Sequence, residues 1–479
     1  MHFLRSNIGL GLAGLLYILF SAYFIWFDQA YFSLLSIGLL FIYFAVYYSE
    51  YSFLALAFLT PLSINIEEYT NSFGLFIPTE PLLFGMMLLL IMQEARKGFI
   101  PKHVWRSPIF IAAAGYVTWL LLSTISSSEP LASIKFVIAK LWFFVPLLLL
   151  GPIVFGKKKN IQTFLWLFVI GMVIAVLYTV TFHATYSFGE KESHWVMWPF
   201  FKDHTIYGAI VALTLLLAIG LYQSKKYTLL TQVVLISMIA VLAIGLYFSY
   251  TRAAWLSVVG AFGIGLVIKL RIKFLYLFGV TTFLGITLFF SWDNLQMELA
   301  RNKQDHTTED FGERIQSATN VTTDASNLER LNRWSCAWEM FKERPVMGFG
   351  PGTYAFEYAR FQAPENLTII STNFGDAGNS HSEYLGPLSE TGLPGLIFFL
   401  ILIGFVFYKG IRLHLDWPAE DKEIKQLLFF MILALSSYFI HGFLNNYLDT
   451  DKASVPIWGI AAIFIALESR LKGLKNIDG

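Results

Sequence analysis

The first candidate for chemistry is a histidine at the junction between a polar loop and an apolar segment. His381 follows a loop that contains glycine and aspartate, and a Glu-Thr-Gly-Leu-Pro-Gly turn at 390–395 then leads into an apolar run. Because imidazole titrates near neutral pH, a histidine at such a junction is suited to general-base catalysis. A lone histidine is more often a hydrogen-bonded structural residue, so the catalytic interpretation depends on the residues that accompany it.

A second candidate is an arginine that lies between two predicted membrane segments. Arg252 occurs in the sequence Ser-Tyr-Thr-Arg-Ala-Ala-Trp at 249–255, with apolar residues on both sides. An arginine at a membrane boundary often only extends its charged end to the interface. However, this is the only charge in a long apolar neighbourhood, and a guanidinium at that depth suits a phosphate or a pyrophosphate. We therefore expect Arg252 to contact a phosphorylated substrate.

Two further arginines lie three residues apart on a predicted amphipathic helix. Residues 326–341 carry leucine, tryptophan and phenylalanine at helical spacing. Arg330 and Arg333 share one face of this helix, and Glu329 can form an ion pair with either arginine. For Arg333, we expect a position on the solvated face of the helix.

Lysines and aspartates near predicted helix ends are weaker candidates. Lys135 and Lys140 enter the sixth apolar segment, where a deep amine such as Lys140 needs a partner or a lipid phosphate. Asp449 and Asp451 have the spacing of a metal-binding acidic pair, but they lie in a short predicted outer loop, away from cytoplasmic nucleotide sugars. The single cysteine, Cys336, excludes an internal disulfide and a cysteine-built metal site. We expect no metal and no cofactor.

The composition indicates an integral membrane protein. The 479-residue chain is 56% hydrophobic and only 14% charged. Soluble domains are about 25% charged, so a globular enzyme with a large core is a poor fit. The net charge is +1, which does not favour a nucleic-acid partner.

Apolar runs predict about fourteen transmembrane helices, and so an all-α fold, since a helix needs roughly 17–25 residues to cross the bilayer. Of these, the run at 53–66 is short and contains a proline. The runs are 8–27, 32–48, 53–66, 75–92, 109–122, 136–155, 164–180, 206–221, 229–247, 253–268, 274–290, 393–407, 427–443 and 455–467.

The basic residues of the loops predict which side of the membrane each loop occupies. With fourteen spans, every lysine and arginine cluster falls on one face, which the positive-inside rule assigns to the cytoplasm. The clusters lie at 96–106, 157–159, 225–226, 269–273, 409–412 and 470–475. Both termini are then cytoplasmic, and the long loop at 291–392 lies outside.

This topology divides the chain into three parts. Residues 1–290 contain the first eleven spans, residues 291–392 form a helical outer loop, and residues 393–479 contain the last three spans and a short basic tail. Arg330 and His381 lie in the outer loop, and Arg252 lies at the outer end of a span. The candidate residues therefore share one face of the membrane.

The order of these motifs resembles that of a known family. The motifs begin with the segment 249–255 around Arg252 and continue with the helix that carries Arg330. Next come Pro-Val-Met-Gly-Phe-Gly-Pro-Gly-Thr-Tyr at 345–354 and His-Ser-Glu-Tyr-Leu at 381–385, and the turn at 390–395 is the last. This arrangement resembles the O-antigen ligase and polymerase superfamily of bacterial envelope glycosyltransferases. The motifs cover roughly residues 206–400, and the layout of spans extends the likeness over the whole chain.

The resemblance implies a GT-C-like enzyme of the bacterial inner membrane, with a periplasmic active site. Its donor is a glycan on undecaprenyl pyrophosphate, and its acceptor is the lipid A–core oligosaccharide or another glycan. Arg252 and Arg330 then hold the pyrophosphate, and His381 matches the family's essential histidine. Further possible substrate contacts come from Arg333, Lys140, Lys135 and Asp449.

The expected chemistry also agrees with the residue types. Pyrophosphate is a good leaving group, so it needs positive charge more than it needs a general acid. The acceptor hydroxyl is a poor nucleophile and needs a base, which His381 can supply. Since no carboxylate is obviously placed to form a covalent intermediate, we expect a single displacement with inversion and without a metal.

Three alternatives remain open at this stage. An O-antigen polymerase and a protein O-oligosaccharyltransferase share the same motifs, although the protein-directed enzymes frequently carry an added C-terminal domain. A transporter of lipid-linked glycans would explain the spans but not the long loop that carries His381. Membrane lipid is a partner under every interpretation.

Overall fold

The structure is a computed structural model, and it describes residues 7–27, 47–67, 74–272, 287, 325–363 and 378–475. The helices before residue 200 are α1 (Asn7–Trp26), α2 (Ser49–Leu62), α3 (Thr79–Lys97), α4 (Lys102–Trp105), α5 (Pro108–Thr124), α6 (Pro130–Val145), α7 (Gly151–Val154) and α8 (Lys158–Ala184). The later helices are α9 (His204–Ser224), α10 (Leu229–Tyr247), α11 (Arg252–Lys269), α12 (Ala325–Glu343), α13 (Tyr354–Glu357), α14 (Leu385–Asp416), α15 (Lys422–His441) and α16 (Asp451–Lys475).

The prediction of an all-α integral membrane protein is confirmed. Among the described residues, eight helices are long and apolar enough to cross a bilayer. The predicted spans at 32–48 and 274–290 lie almost wholly outside the described residues, so the count of fourteen stays a prediction. Strands β1 (Ile64–Asn65) and β2 (Phe76–Ile77) form a short antiparallel hairpin after α2.

Burial separates a central group of helices from a peripheral one. Most residues of α9, α15 and α16 are buried, whereas α10 and α11 leave much of their apolar surface exposed. Both groups have similarly apolar sequences, because helices facing lipid and helices facing other helices avoid charge alike. The central helix α15 ends at His441, which belongs to the site described below.

Helix α14 contains the break that connects the membrane bundle to the loop layer. Gly392 has φ 70° and ψ −174°, a conformation that is essentially restricted to glycine. A side chain here would collide with the carbonyl oxygen of Val346, and the next amide, at Leu393, donates to the carbonyl of Pro345 at 2.9 Å. The Glu-Thr-Gly-Leu-Pro-Gly turn therefore ends a short first part of α14 and docks it on the preceding loop.

A glycine-rich turn at 348–352 follows α12 and packs against both α14 and the α5–α6 connection. Its backbone is bonded to both neighbours: the amide of Gly350 donates to the carbonyl of Glu390 at 2.7 Å, and the amide of Ser128 donates to the carbonyl of Phe349 at 2.8 Å. These two bonds hold the turn between α14 and the α5–α6 connection.

The segment between α12 and α13 has its own small core, which rests on the membrane bundle. Helix α12 covers the predicted amphipathic stretch, and its buried face includes Cys336 and Met340. These residues pack with Phe349 of the turn and with Tyr354 and Tyr358 beyond it. We call the end of the bundle on which this layer sits the site end; α5 ends there, and α6, α9, α11 and α14 begin there.

We expect the site end to face the outside of the cell. In a Cys336→Ala background, a Lys342→Cys protein should react with a membrane-impermeant thiol reagent in intact spheroplasts, because this α12 side chain is 54% exposed. The matched Lys226→Cys protein, with an exposed residue between α9 and α10, should react only after lysis. The reverse labelling pattern would contradict the positive-inside assignment.

We also expect Gly392→Ala to destabilise the protein. Forcing a non-glycine residue into this backbone conformation costs on the order of 1–3 kcal/mol, and the methyl group meets main-chain atoms that cannot move aside easily. Gly404→Ala is the matched control, since it lies in the same helix with open space around the added carbon. Thermal unfolding in detergent should show a lower midpoint for Gly392→Ala alone; equal midpoints would mean that the break is not a constraint.

Candidate functional site

His381 lies in a buried turn immediately before α14. Its backbone has φ 48°, and its amide donates to the Asn379 side chain at 3.0 Å. The indole of Trp334, on α12, reaches the His381 carbonyl at 3.4 Å. The backbone of this histidine is therefore held by its own loop and by α12, which restricts where the imidazole can lie.

The environment of the imidazole favours its neutral form. Burial lowers the pKa of His381 to about 4, and the positive charges of Arg330 and Arg333 act in the same direction. A hydrogen bond with the Asn445 side chain opposes this shift but does not overcome it. At neutral pH the ring is therefore available to accept a proton.

Asn445 connects His381 to a second histidine and, through it, to the start of α11. The amide nitrogen of Asn445 lies 3.1 Å from Nε2 of His441, the last residue of α15. His441 in turn lies against the backbone of Ala253, the residue after Arg252. This series of contacts brings Arg252, from a separate helix, into the neighbourhood of His381.

Arg330 reaches the same neighbourhood from α12. Its Nε donates to the carbonyl of Leu444 at 3.1 Å, next to Asn445 in the chain. Its charge acts on both His381 and His441, so the guanidinium lies close to the two rings. The half-buried side chains of Arg252 and Arg330 thus approach the histidines from two different helices.

The expectation that Arg333 lies on a solvated helix face is wrong. Its side chain is only 5% exposed, its Nε donates to Glu329 at 2.7 Å, and its guanidinium lies over the ring of Tyr358, 4.1 Å from the centroid. The layer formed after α12 folds over this face, which the helical pattern alone could not reveal. Loss of either partner would leave the other as an unpaired buried charge, which typically destabilises a protein by about 3–5 kcal/mol. The ion pair therefore holds in place the helix that presents Arg330.

Lys140 and Asp449 form an ion pair, although they are 309 positions apart in the sequence. Lys140 Nζ lies 2.5 Å from Asp449 Oδ1 and donates to the Leu448 carbonyl at 3.1 Å. This meets the expectation that an amine at that depth needs a partner. Lys135, by contrast, is exposed on α6 and stands apart from this pair.

Glu383 is a buried carboxylate that the sequence interpretation did not single out. Its Oε1 accepts hydrogen bonds from the Tyr438 hydroxyl at 2.6 Å and from the amides of Tyr447 and Leu448 at 2.6 and 2.9 Å. Burial and the negative charge of Asp449 nevertheless raise the pKa of Glu383 to about 7. This carboxyl therefore gains or loses its proton near neutral pH.

Glu390 is a second carboxylate that the sequence interpretation passed over, and it joins two parts of the site. Its two oxygens accept from the amides of Gly352 at 2.9 Å and Tyr354 at 3.0 Å. No sequence pattern indicated this role beyond the position of Glu390 in the motif. The partners lie across a loop, and their pairing depends on the break in α14.

A cavity of about 260 Å³ lies beside the 378–383 segment. Glu383 and Glu390 line it together with Lys140 and Asp449. His381, Arg252 and Arg330 are not among its lining residues, so the candidate site has two parts: an arginine–histidine cluster and an acidic cavity.

The comparisons with known proteins agree with the motif order. Residues 235–400 match the family model described as O-antigen ligase, a region that contains Arg252, Arg330, His381 and Glu390. No curated protein matches the chain. This match supports the assignment to the O-antigen ligase and polymerase superfamily that the order of the motifs predicts.

Proposed function

We propose that this protein transfers a glycan from undecaprenyl pyrophosphate to an acceptor hydroxyl, and that the reaction is O-antigen ligation to lipid A–core. One observation carries the proposal: the neutral imidazole of His381 is buried beside Arg330, within the region that matches the O-antigen ligase family. A base and a cationic group that binds the leaving group are the two requirements of this transfer.

The donor pyrophosphate binds to the arginines. Arg252 and Arg330 approach the two histidines from α11 and α12, and a guanidinium pairs with phosphate oxygens through two parallel hydrogen bonds. Negative charge grows on the pyrophosphate as its bond to the sugar breaks. Positive charge held at this position stabilises that transition state more than the bound donor.

His381 removes the proton from the acceptor. As the acceptor oxygen bonds to the anomeric carbon, its proton passes to the imidazole, and undecaprenyl pyrophosphate leaves with the electron pair of the broken carbon–oxygen bond. A single displacement inverts the configuration at the anomeric carbon. Arginine charge supplies the stabilisation of the leaving group, so the proposed reaction is metal-independent.

This function implies a place in the cell and an organisation of the chain. The protein is a GT-C-like enzyme of the bacterial inner membrane, with about fourteen spans, cytoplasmic termini and a periplasmic site. The catalytic loop is 291–392, between spans at 1–290 and 393–479. Lys140, Lys135, Arg333 and Asp449 are further possible contacts for substrate, although Arg333 and Lys140 are already ion-paired.

Polymerase and protein O-oligosaccharyltransferase activities are the alternatives within the superfamily. The glycolipids of a deletion strain distinguish a polymerase from a ligase. Carrier-linked polymer with unmodified core indicates that a ligase was lost, and single repeat units on core indicate that a polymerase was lost. A transporter of lipid-linked glycan is the alternative outside it. Transfer by purified protein without any ion gradient excludes that alternative.

We expect His381→Ala to abolish transfer while the donor still binds. Loss of a positioned base typically costs about two to four orders of magnitude in rate, whereas the arginines continue to hold the pyrophosphate. Turnover and donor affinity are measured together on purified, folded protein with lipid-linked glycan and lipid A–core. The matched control is His103→Ala, which replaces an exposed histidine on α4.

Two results would overturn parts of this proposal. A His381→Ala protein that binds donor weakly but turns it over at the wild-type rate makes the histidine a ligand rather than the base. Wild-type protein that transfers no glycan to lipid A–core, to a carrier-linked unit or to protein contradicts the proposed function itself.

We expect the acid limb of the kcat/KM profile to lie near pH 4 rather than near 6.5, the ordinary histidine pKa. The folded-state pKa of His381 is lowered to about 4, so the base stays deprotonated until the pH falls through that value. Arg330→Ala removes a charge that disfavours the imidazolium, so it should move the limb to higher pH. Lys342→Ala removes one positive charge from the exposed surface of the same helix and should not move it.

The titration of Glu383 near the site does not obscure this comparison. Glu383 changes protonation near pH 7, but the charges that act on it come from Asp449 and Lys140 rather than Arg330. A limb that stays at the same pH in Arg330→Ala would therefore show that Arg330 does not act on the catalytic base.

A further inference from the structure

The acidic cavity lies beside the segment that carries His381. Ser380 and Ser382, the two neighbours of His381 in the chain, both line the cavity, while His381 itself contacts Asn445. The 378–383 segment therefore separates two spaces of different character, with the candidate base at the boundary between them.

The charges of the cavity are the opposite of those that bind phosphate. Three acidic side chains line it, those of Glu383, Glu390 and Asp449, against the single ammonium of Lys140. That ammonium is already neutralised by Asp449 at 2.5 Å. Like charges in a partly buried space repel strongly, so a pyrophosphate would bind poorly here.

Two polar groups of the cavity wall have unused hydrogen-bonding capacity. Glu383 is only 6% exposed, and the hydrogen bonds that it accepts within the described residues all go to Oε1, which leaves Oε2 to interact with an occupant. The Oδ1 of Asn446, another residue of the wall, has no hydrogen-bond partner among the described residues. Buried polar groups are usually satisfied, so these point to a missing partner.

Aromatic and hydroxyl-bearing side chains complete the wall. The ring of Phe136 lies beside Lys140, and Tyr354 lies beside the glycine-rich turn, both at the cavity surface. Carboxylates that accept hydrogen bonds from hydroxyls, beside apolar ring faces, match the two-sided surface of a sugar ring. The volume of about 260 Å³ limits the occupant to a small group such as the end of an oligosaccharide.

We propose that this cavity is the subsite for the acceptor sugar, while the donor pyrophosphate occupies the arginine side of His381. The proposal rests on the proposed function and adds the location and chemical class of the second substrate. A neutral, hydroxyl-rich sugar ring enters the carboxylate-lined space, and its reacting hydroxyl reaches His381 at the boundary. Each substrate thereby meets charges that suit it on its own side of the base.

A variant that fills the cavity tests this assignment. Ala355 lines the cavity, so Ala355→Phe should raise the KM for the acceptor roughly tenfold or more and leave the KM for the donor unchanged. Ala359→Phe, one helical turn further along, adds the same ring outside the cavity and should leave both values unchanged. A higher KM for the donor in Ala355→Phe, or no change in either value, would overturn the proposal.

An isosteric variant distinguishes the two substrates by charge and disturbs the packing less. Asp449→Asn removes one negative charge, so under the proposal it raises the KM for the acceptor without improving donor binding. If the cavity instead held pyrophosphate, the same variant would bind donor more tightly, because it removes a repelling charge. Tighter donor binding would therefore overturn the assignment.

A binding measurement separates this proposal from the proposed function. Saturation-transfer NMR should show that methyl glycosides of glucose and N-acetylglucosamine bind to the wild-type protein. The Ala355→Phe protein should not bind them, and the Ala359→Phe protein should bind them as the wild type does. Inorganic pyrophosphate should not displace the glycosides. Binding with this pattern in a protein that transfers no glycan would support the sugar site while refuting the function; absence of binding in an active protein would refute the site.

Discussion

The arrangement of the site depends on the carboxylate of Glu390 and the helix break that follows it. The two carboxylate oxygens accept from the amides of Gly352 and Tyr354, and the Glu390 carbonyl accepts from Gly350. Gly392 then allows the chain to leave this contact and enter the membrane as the long part of α14. Without this junction, the layer built on α12 would lose a main attachment to the bundle, and His381, which precedes α14, would be held less firmly.

Electrostatics divides the space around His381 into two regions. On one side, Arg330 and burial keep the imidazole neutral, which a proton acceptor requires. In the cavity, three acidic side chains, those of Glu383, Glu390 and Asp449, outnumber the single ammonium of Lys140. A reaction between an anionic carrier and a neutral sugar needs this division, since a uniformly cationic site would attract phosphate to both positions and a uniformly acidic one would repel the donor.

Most of the fold was predictable, because membrane helices are encoded locally. A run of apolar residues needs no partner to satisfy its backbone in lipid, so composition and length identify it. The helix at 325–343 was equally accessible through its 3.6-residue spacing. What periodicity could not provide is which apolar helices are central: α9 and α10 are similarly apolar, yet only α9 is buried along most of its length.

The candidate site shows the same division between local and tertiary information. The sequence alone determined that His381, Arg252 and Arg330 were the residues to examine. His381 and Arg252 carry a titratable ring or a charge beside apolar residues or a turn, and Arg330 was indicated by its place in the order of motifs. Only the tertiary structure decided that Arg333 is buried with Glu329, that Lys140 meets Asp449, and that Asn445 bridges the histidines. Those contacts join helices far apart in the chain, and burial of an ion pair depends on what covers it, which no local pattern of residues records.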